Sequence, residues 1–420
     1  MLLKGSEEMA DMPVRDCILD RNGLTDAVRN LLEESRAHAL CRERDAFDAA
    51  AAGQNESLVL FGAGNLGRKT LAGLRKAGIE PVSFTDSNSA LWNQRVDGLN
   101  VIAPEEAARL YGTTSTFVIT IWTGEGYDRM GERRQKLNSI GCRRVVPFTL
   151  LFWKYSDLFL PHYAVDLPHG VLDQAEEVVR ACDLWSDDAS RFEYLAQLRW
   201  RLLSDFDVMP NPVAPPTYFP RDLFQLKERE IFVDCGAFDG DTIRSLLEQP
   251  NGSSASVYAF EADPGNFAKL QKTVSEVPHS GLFTIYNLAV GASSGPVKFR
   301  AFSNEASYVS ALGGDISVDS VTLDQMLGGV EPTFIKMDIE GAELDSLRGA
   351  SETIGRCAPR LAICSYHRQD HLWRIPLLIQ SLNRNYQFYL RPHLLEGWDL
   401  VCYAIPSPRV EIQPGVGTHR

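Results

Sequence analysis

The sequence predicts two α/β domains in series, each a parallel-rich sheet covered by helices. Three observations carry that expectation. Strand-like apolar runs alternate with helical stretches in both halves of the chain. Each half holds a glycine-rich loop directly after one of those runs. The chain is 420 residues long, more than a single compact core serves. Charge narrows the partners: 42 Lys+Arg against 55 Asp+Glu leave a net −13. That balance argues against a nucleic-acid partner and against docking on an anionic membrane, both of which need clustered cations.

No apolar run approaches the ~18 residues needed to cross a bilayer. The opening MLLKGSEEM turns acidic too early for a secretory leader. Eight cysteines are scattered without a CxxC pair. These features predict a reduced, cytoplasmic protein whose partner is a small molecule, with a homo-oligomer also admitted.

In chain order, residues 24–50 are expected to be helical, with Leu24, Val28, Leu31 and Leu32 on one face, so residues 1–55 are taken as a helical N-terminal segment. Strands are predicted in SLVLFGAG, PVSFTD, TFVITIW and RRVVPF, placing a first α/β domain at 56–150. From 151 to 217 the pattern turns helical. Leu172, Ala175, Val178, Val179 and Cys182, then Phe192, Leu195, Ala196, Leu202 and Leu203, recur at helical spacing and predict two helices bridging the sheets. Pro210, Pro212, Pro215, Pro216 and Pro220 then mark a stiff linker. A second domain is expected over 218–406, with strands in EIFVDCG, SVYAFEAD, FTIYNLAV, TFIKMDIEG, RLAICSYH, YQFYLRPH and LVCYAIP. Short connections between the last two predict a mostly parallel sheet ending in an antiparallel hairpin. Residues 407–420 read as a polar tail.

The two glycine loops differ in charge. Gly62, Gly64 and Gly67 form a GxGxxG between strand and helix, Arg68 and Lys69 follow, and Asp86 closes the next strand where a ribose carboxylate would lie. Either a phosphate-bearing nucleotide docks there or the glycines only tighten a turn. The second loop, VDCGAFDGDT, crowds Asp234, Asp239 and Asp241 around a glycine turn. A pyrophosphate would be repelled, whereas a cationic ligand would be attracted. S-adenosylmethionine (SAM) meets this demand, having two positive centres and no phosphate. Glu261, at the end of the next strand, can accept hydrogen bonds from a ribose diol. The alternative is that Asp234 and Asp241 cap the following helix.

The motifs FVDCGAFDGDT, VYAFEADPGNF, NLAVGASSG, SVTLD, FIKMDIEGAELDSLRGA and CSYHRQDHLWRIPLLI together resemble the FkbM family of SAM-dependent methyltransferases, over about residues 218–405. The resemblance implies a class I methyltransferase fold with a seven-stranded sheet, and O-methylation of a hydroxyl on a sugar or natural product. It places Asp234, Gly236, Ala237, Gly240, Asp241 and Thr242 around the methionine moiety. It also places Glu261 at the ribose, and Ala262, Asp263, Asn287 and Ala289 near the adenine. Residues 57–106, with LVLFGAGNLGRKTLAGLRKAGIEPVSFTDSN and VDGLNVIAPEE, are similar to the small Rossmann-like domain preceding sialic-acid-type O-acyltransferases. That second likeness implies nucleotide-sugar recognition.

Methyl transfer is an in-line displacement, and a sugar hydroxyl needs a base to receive its proton. KMDIEGAE supplies Lys336, Asp338, Glu340 and Glu343 at a strand end, and along an extended strand Lys336, Asp338 and Glu340 share one face. Asp338 reads first as base or metal ligand, against capping the next helix. Glu340 is either functional or shapes the turn, and Lys336 binds an acidic group or neutralises the carboxylates. His367, in SYHRQDH, is expected at the same sheet edge, where a neutral imidazole would act as base. His367 and His371 lack a third ligand for zinc. A magnesium-like ion on the carboxylates is admitted but not established. Ser307 and Ser310 fall where the family has a loop near the acceptor, and Trp373 reads as core. The competing readings are a nicotinamide-dependent oxidoreductase working through Gly62, Gly64, Gly67 and Asp86, or a docking module on the first domain. Against the oxidoreductase, no Tyr-x-x-x-Lys follows in the first half.

Overall fold

A computed structural model describes residues 21–54, 57–123, 128–277, 282–300, 308–309 and 316–407. The first sheet contains β1 (Leu58–Phe61), β2 (Ser83–Thr85), β3 (Arg95–Val96), β4 (Leu99–Ile102), β5 (Thr116–Ile119) and β6 (Val145–Pro147). Their order is β3-β4-β2-β1-β5-β6, parallel except for β3 against β4. β1 and β5 are buried throughout, as continuous apolar runs covered on both faces must be. The β3–β4 hairpin turns on Asp97 and Gly98, both at positive φ, an Asp-Gly signal that the strand reading passed over.

The second sheet contains β7 (Ile231–Cys235), β8 (Ser256–Phe260), β9 (Phe283–Tyr286), β14 (Phe334–Met337), β15 (Arg360–Cys364), β16 (Tyr386–Pro392) and β17 (Leu400–Pro406). Its order is β16-β17-β15-β14-β7-β8-β9, with β17 antiparallel to both its neighbours. This is the expected seven-stranded sheet with its terminal hairpin. A separate four-stranded sheet is new: β10 (Ala289–Val290), β11 (Gly295–Arg300), β12 (Tyr308–Val309) and β13 (Ile316–Val321), in the order β10-β13-β11-β12. The run FTIYNLAV, expected as one strand, is divided between the two sheets at Asn287 and Leu288.

The helix expected over 24–50 is two, Arg21–Leu31 and Arg36–Ala51, separated where the Ser35 hydroxyl accepts from His38 N and caps the second. Leu24, Val28 and Leu31 join the core of the second sheet, whereas Phe47 and Ala51 join that of the first. The helix Asp188–Leu203 ties the two cores together. Leu195, Leu198 and Leu202 pack in one, Ala196 and Trp200 in the other. The proline-rich stretch over 210–220 holds no helix. It is more than a spacer, because Tyr218 and Phe219 are buried against the second sheet.

The tip of the β16–β17 hairpin reaches into the first domain. Trp122 Nε1 donates to Glu396 O at 3.1 Å, Met130 N donates to the Glu396 carboxylate, and Arg133 Nη1 lies 3.6 Å from Glu396 Oε2. Burial pushes the Glu396 carboxyl up to about 7, against the pull of Met130 N and Arg133. The folded state therefore holds that proton more tightly than the unfolded chain. The contribution of Glu396 to stability falls as pH rises from about 4.5 to about 7. Glu396→Gln is expected to flatten the decline of Tm across that range in calorimetric scans; an unchanged slope contradicts the assignment.

Candidate active site

The carboxyl ends of β7, β8 and β14 open on a cleft of about 830 Å³. The loop after β7 makes its turn with positive φ at Gly236, Phe238 and Gly240. At Gly236 no side chain fits, because a Cβ would stand 1.9 Å from Asp338 O on the neighbouring strand. That close approach brings KMDIEG against VDCG.

Beneath the loop, Lys336 Nζ lies 3.0 Å from Asp234 Oδ1 and donates to Gly236 O at 2.6 Å. The Asp234 and Lys336 side chains are 0% and 2% exposed. Burial raises the Asp234 carboxyl and Lys336 pulls it back. On Lys336 burial acts to lower the ammonium's pKa, but Asp234, Asp338 and Asp241 outweigh it and hold it above its ordinary value. Lys336 thus pairs with Asp234 at the floor of the cleft, and not with the Asp338 and Glu340 carboxylates near it in the sequence. Asp234 is itself below the lining rather than in it.

The other cofactor-side residues divide. Gly236, Asp241, Thr242, Glu261, Ala262 and Ala289 line the cleft. Ala237 is buried, and Gly240 precedes the helix Asp241–Leu247 with a left-handed φ. Asp263 caps the helix Pro264–Glu276 through Gly265 N and Asn266 N. Asn287 donates to Glu261 O and Ala262 O, so its amide supports the strand end. Glu261 accepts from Phe238 N and Asp263 N, both at 2.8 Å, which gives it a loop-fastening role that sequence reasoning did not assign. Burial pushes its carboxyl up to about 7, against those two N–H donors.

The first glycine loop is fastened the same way. Asp86 accepts from Ala63 N and Asn88 N, both at 2.8 Å. Gly67 sits so close to Gly62 that a Cβ there would meet Gly62 O at 1.9 Å. Of the flanking cations, Arg68 pairs with Asp97, while Lys69 hydrogen-bonds the His162 ring. Gly62, Gly64 and Asp86 do not line the cleft, although Asn65, Trp122 and Thr123 of the same domain do.

At the end of β14, Asp338 accepts from Tyr218 Oη at 2.8 Å and Tyr366 Oη at 3.4 Å. It caps no helix, since the next one begins at Glu343 with Ala342 before it. Strand β14 ends at Met337, so the shared face expected for Lys336, Asp338 and Glu340 does not extend to Glu340. Glu340 lies in a turn with φ +53° and reaches His367 Nε2 at 3.5 Å. His367 is at the expected edge but is sealed, its side chain 1% exposed, with Nδ1 2.7 Å from Glu343 Oε1. Burial favours its neutral form, yet Glu343 and Glu340 outweigh that and hold its pKa well above the ordinary value. The expected neutral, accessible base is therefore corrected to an enclosed ring whose protonated form Glu343 and Glu340 favour. His371 is packed against Glu343, and burial pushes it down to about 4. Trp373 is core, as read, and donates to Gln174 Oε1. Ser307 and Ser310 lie outside the described residues.

Tyr218, Tyr163, Trp122 and Trp398 were not singled out from the sequence. Trp122 and Trp398 stand 4.7 Å apart, ring to ring, and Tyr163 lies 4.9 Å from Trp398. No periodicity marks any of the four, because they come from loops of both domains.

The sheet order, the acid-edged glycine loop and the cleft above the strand ends define the Rossmann-like fold of methyltransferases. Residues 234–388 match the sequence model described as the Methyltransferase FkbM domain. The crystal structure of Methyltransferase FkbM from Methylobacillus flagellatus KT superposes with a TM-score of 0.74 at 22% identity, over 92% of this chain and 100% of that one. Coverage of that extent takes in both large sheets, so the first domain is part of the shared architecture. The hexuronic acid methyltransferase AglP of Haloferax volcanii is 28% identical over 107 residues, 24% of this chain and 44% of that protein. The chain thus spans less than half the length of that curated relative.

Lys336→Met is expected to leave the Asp234 carboxylate buried and unpaired, costing about 3–5 kcal/mol. Urea unfolding measures the loss. The double variant with Asp234→Asn should recover much of it, and no recovery would separate the two residues.

Proposed function

We propose that the chain is a SAM-dependent methyltransferase acting on a hydroxyl of a sugar or natural product. The observation that carries this reading is the sign of the cleft. Its charged lining is Asp241, Glu261, Asp338, Glu340 and Asp399 against Lys336, and Lys336 is already paired. Such a wall repels a pyrophosphate and attracts a sulfonium. Gly236, Asp241 and Thr242 would hold the amino-acid end of SAM. Glu261 would meet the ribose diol, and Ala262, Leu288 and Ala289 the adenine. The acceptor oxygen attacks the methyl carbon, the C–S bond breaks with its pair on sulfur, and the hydroxyl proton passes to Asp338.

The aromatic wall of Trp122, Tyr163 and Trp398 gives an apolar face for a ring-shaped acceptor. AglP acts on a hexuronic acid, which supports the sugar class. The nicotinamide alternative is not favoured, because Asp86 is engaged by backbone and Arg68 is paired with Asp97. The likeness of residues 57–106 to a nucleotide-sugar domain rests on loop and closing acid alone.

Calorimetry with SAM tests the proposal: binding is expected in the wild type and weakened at least about tenfold in Glu261→Gln. Absence of SAM binding in the folded wild type overturns it. Asp338→Asn should keep SAM affinity while turnover falls by about 10² or more; equal loss of both would reassign Asp338 to structure.

A further inference from the structure

We infer that the acceptor end of the cleft is a divalent-cation site of the Mn²⁺ or Mg²⁺ class, formed by Nε2 of His367 with the carboxylates of Asp338 and Glu340. Its role in catalysis rests on the methyltransferase reading above, but its existence does not. The first reason is an unpartnered buried atom. Glu343 Oε1 takes His367 Nδ1 at 2.7 Å and so directs the ring, leaving Nε2 without a hydrogen bond in a side chain 1% exposed. That nitrogen faces Asp338 Oδ1 at 3.4 Å and Glu340 Oε1 at 3.5 Å. Between those two carboxylates Nε2 needs a cation, either the proton that the acids favour or a metal ion in its place.

The spacing suits an ion. Adjacent ligands at about 2.1 Å from an octahedral centre stand about 3 Å apart, so each contact needs to close by a few tenths of an ångström. The ligands are also supported from behind, as metal ligands are. Glu343 is held by Ile339 N at 3.0 Å and by His367, and Asp338 accepts from Tyr218 Oη and Tyr366 Oη. Among the described residues, the group whose ligand atoms all lie within 4.8 Å of one another is Asp338, Glu343 and His367, so Glu340 joins the site through its contact with His367 Nε2 and not through Asp338. The part of Glu343 in that group is its bond to Nδ1. Imidazole with two carboxylates suits Mn²⁺ better than an all-oxygen ion site.

Two of the three ligands also reach the reaction space. Asp338 and Glu340 line the cleft, with side chains 25% and 18% exposed, so the remaining positions of the ion would face the acceptor. An acceptor oxygen bound there loses its proton more readily. With the ion in place Asp338 is a ligand, and the proton is released to cleft water.

The test is a Mn²⁺ titration of the chelator-stripped full chain, read by electron paramagnetic resonance. One Mn²⁺ per chain is expected, displaced by excess Mg²⁺. Glu340→Gln and His367→Gln should each weaken it at least tenfold with an unchanged circular dichroism spectrum. If His367→Gln does not fold, the Glu340→Gln titration decides alone. No bound Mn²⁺ at millimolar concentration, or an affinity unmoved by Glu340→Gln, overturns the site. SAM calorimetry on the same stripped sample separates the two readings. SAM binding without Mn²⁺ binding removes only the cation, while Mn²⁺ binding without SAM binding removes only the cofactor assignment.

Discussion

The buried pair of Lys336 and Asp234 is what the rest of the cleft is built upon. It joins β14 to β7 at the point where both strands end, and the same ammonium holds Gly236 O in the turned loop. An uncompensated charge at that depth would cost several kcal/mol, so the two residues stand or fall together. Because Lys336 is satisfied from below, the acids above it keep their net negative charge. The electrostatic character of the cleft follows from that division.

The two halves of the chain solve one problem twice. In each, a carboxylate at the end of the second strand fastens the backbone of the glycine loop, Asp86 through Ala63 N and Glu261 through Phe238 N. The hydrogen bond alone therefore does not mark a ligand site. What separates them is surroundings: Glu261 borders the cleft, whereas Asp86 is turned into its own loop.

Much of this was legible in the sequence, and the remainder has physical reasons. Strand alternation and loop chemistry are local, so both sheets, the hairpin and the glycine turns could be read. Asp241, Glu261 and Asp338 carried enough pattern to be placed on the cleft. The break at Ser35 was hidden because the flanking stretch lacks Gly and Pro, although Ser is a strong cap. The four-stranded sheet was hidden because β10 and β12 are two residues each, too short for a period to show. His367 was misjudged because its state depends on Glu343, Glu340 and burial, which are tertiary facts. Tyr218 was missed because prolines mark where a chain is stiff, without saying what it lies against.

The hairpin tip has a consequence for how the molecule is made. Trp122 and Glu396 are 274 positions apart, yet each depends on the other for its place. The wall begun by the first domain is finished only by a hairpin synthesised much later. A chain halted before β16 would carry the glycine loop and Glu261 but lack Trp398, leaving the cleft with one side of its aromatic wall missing.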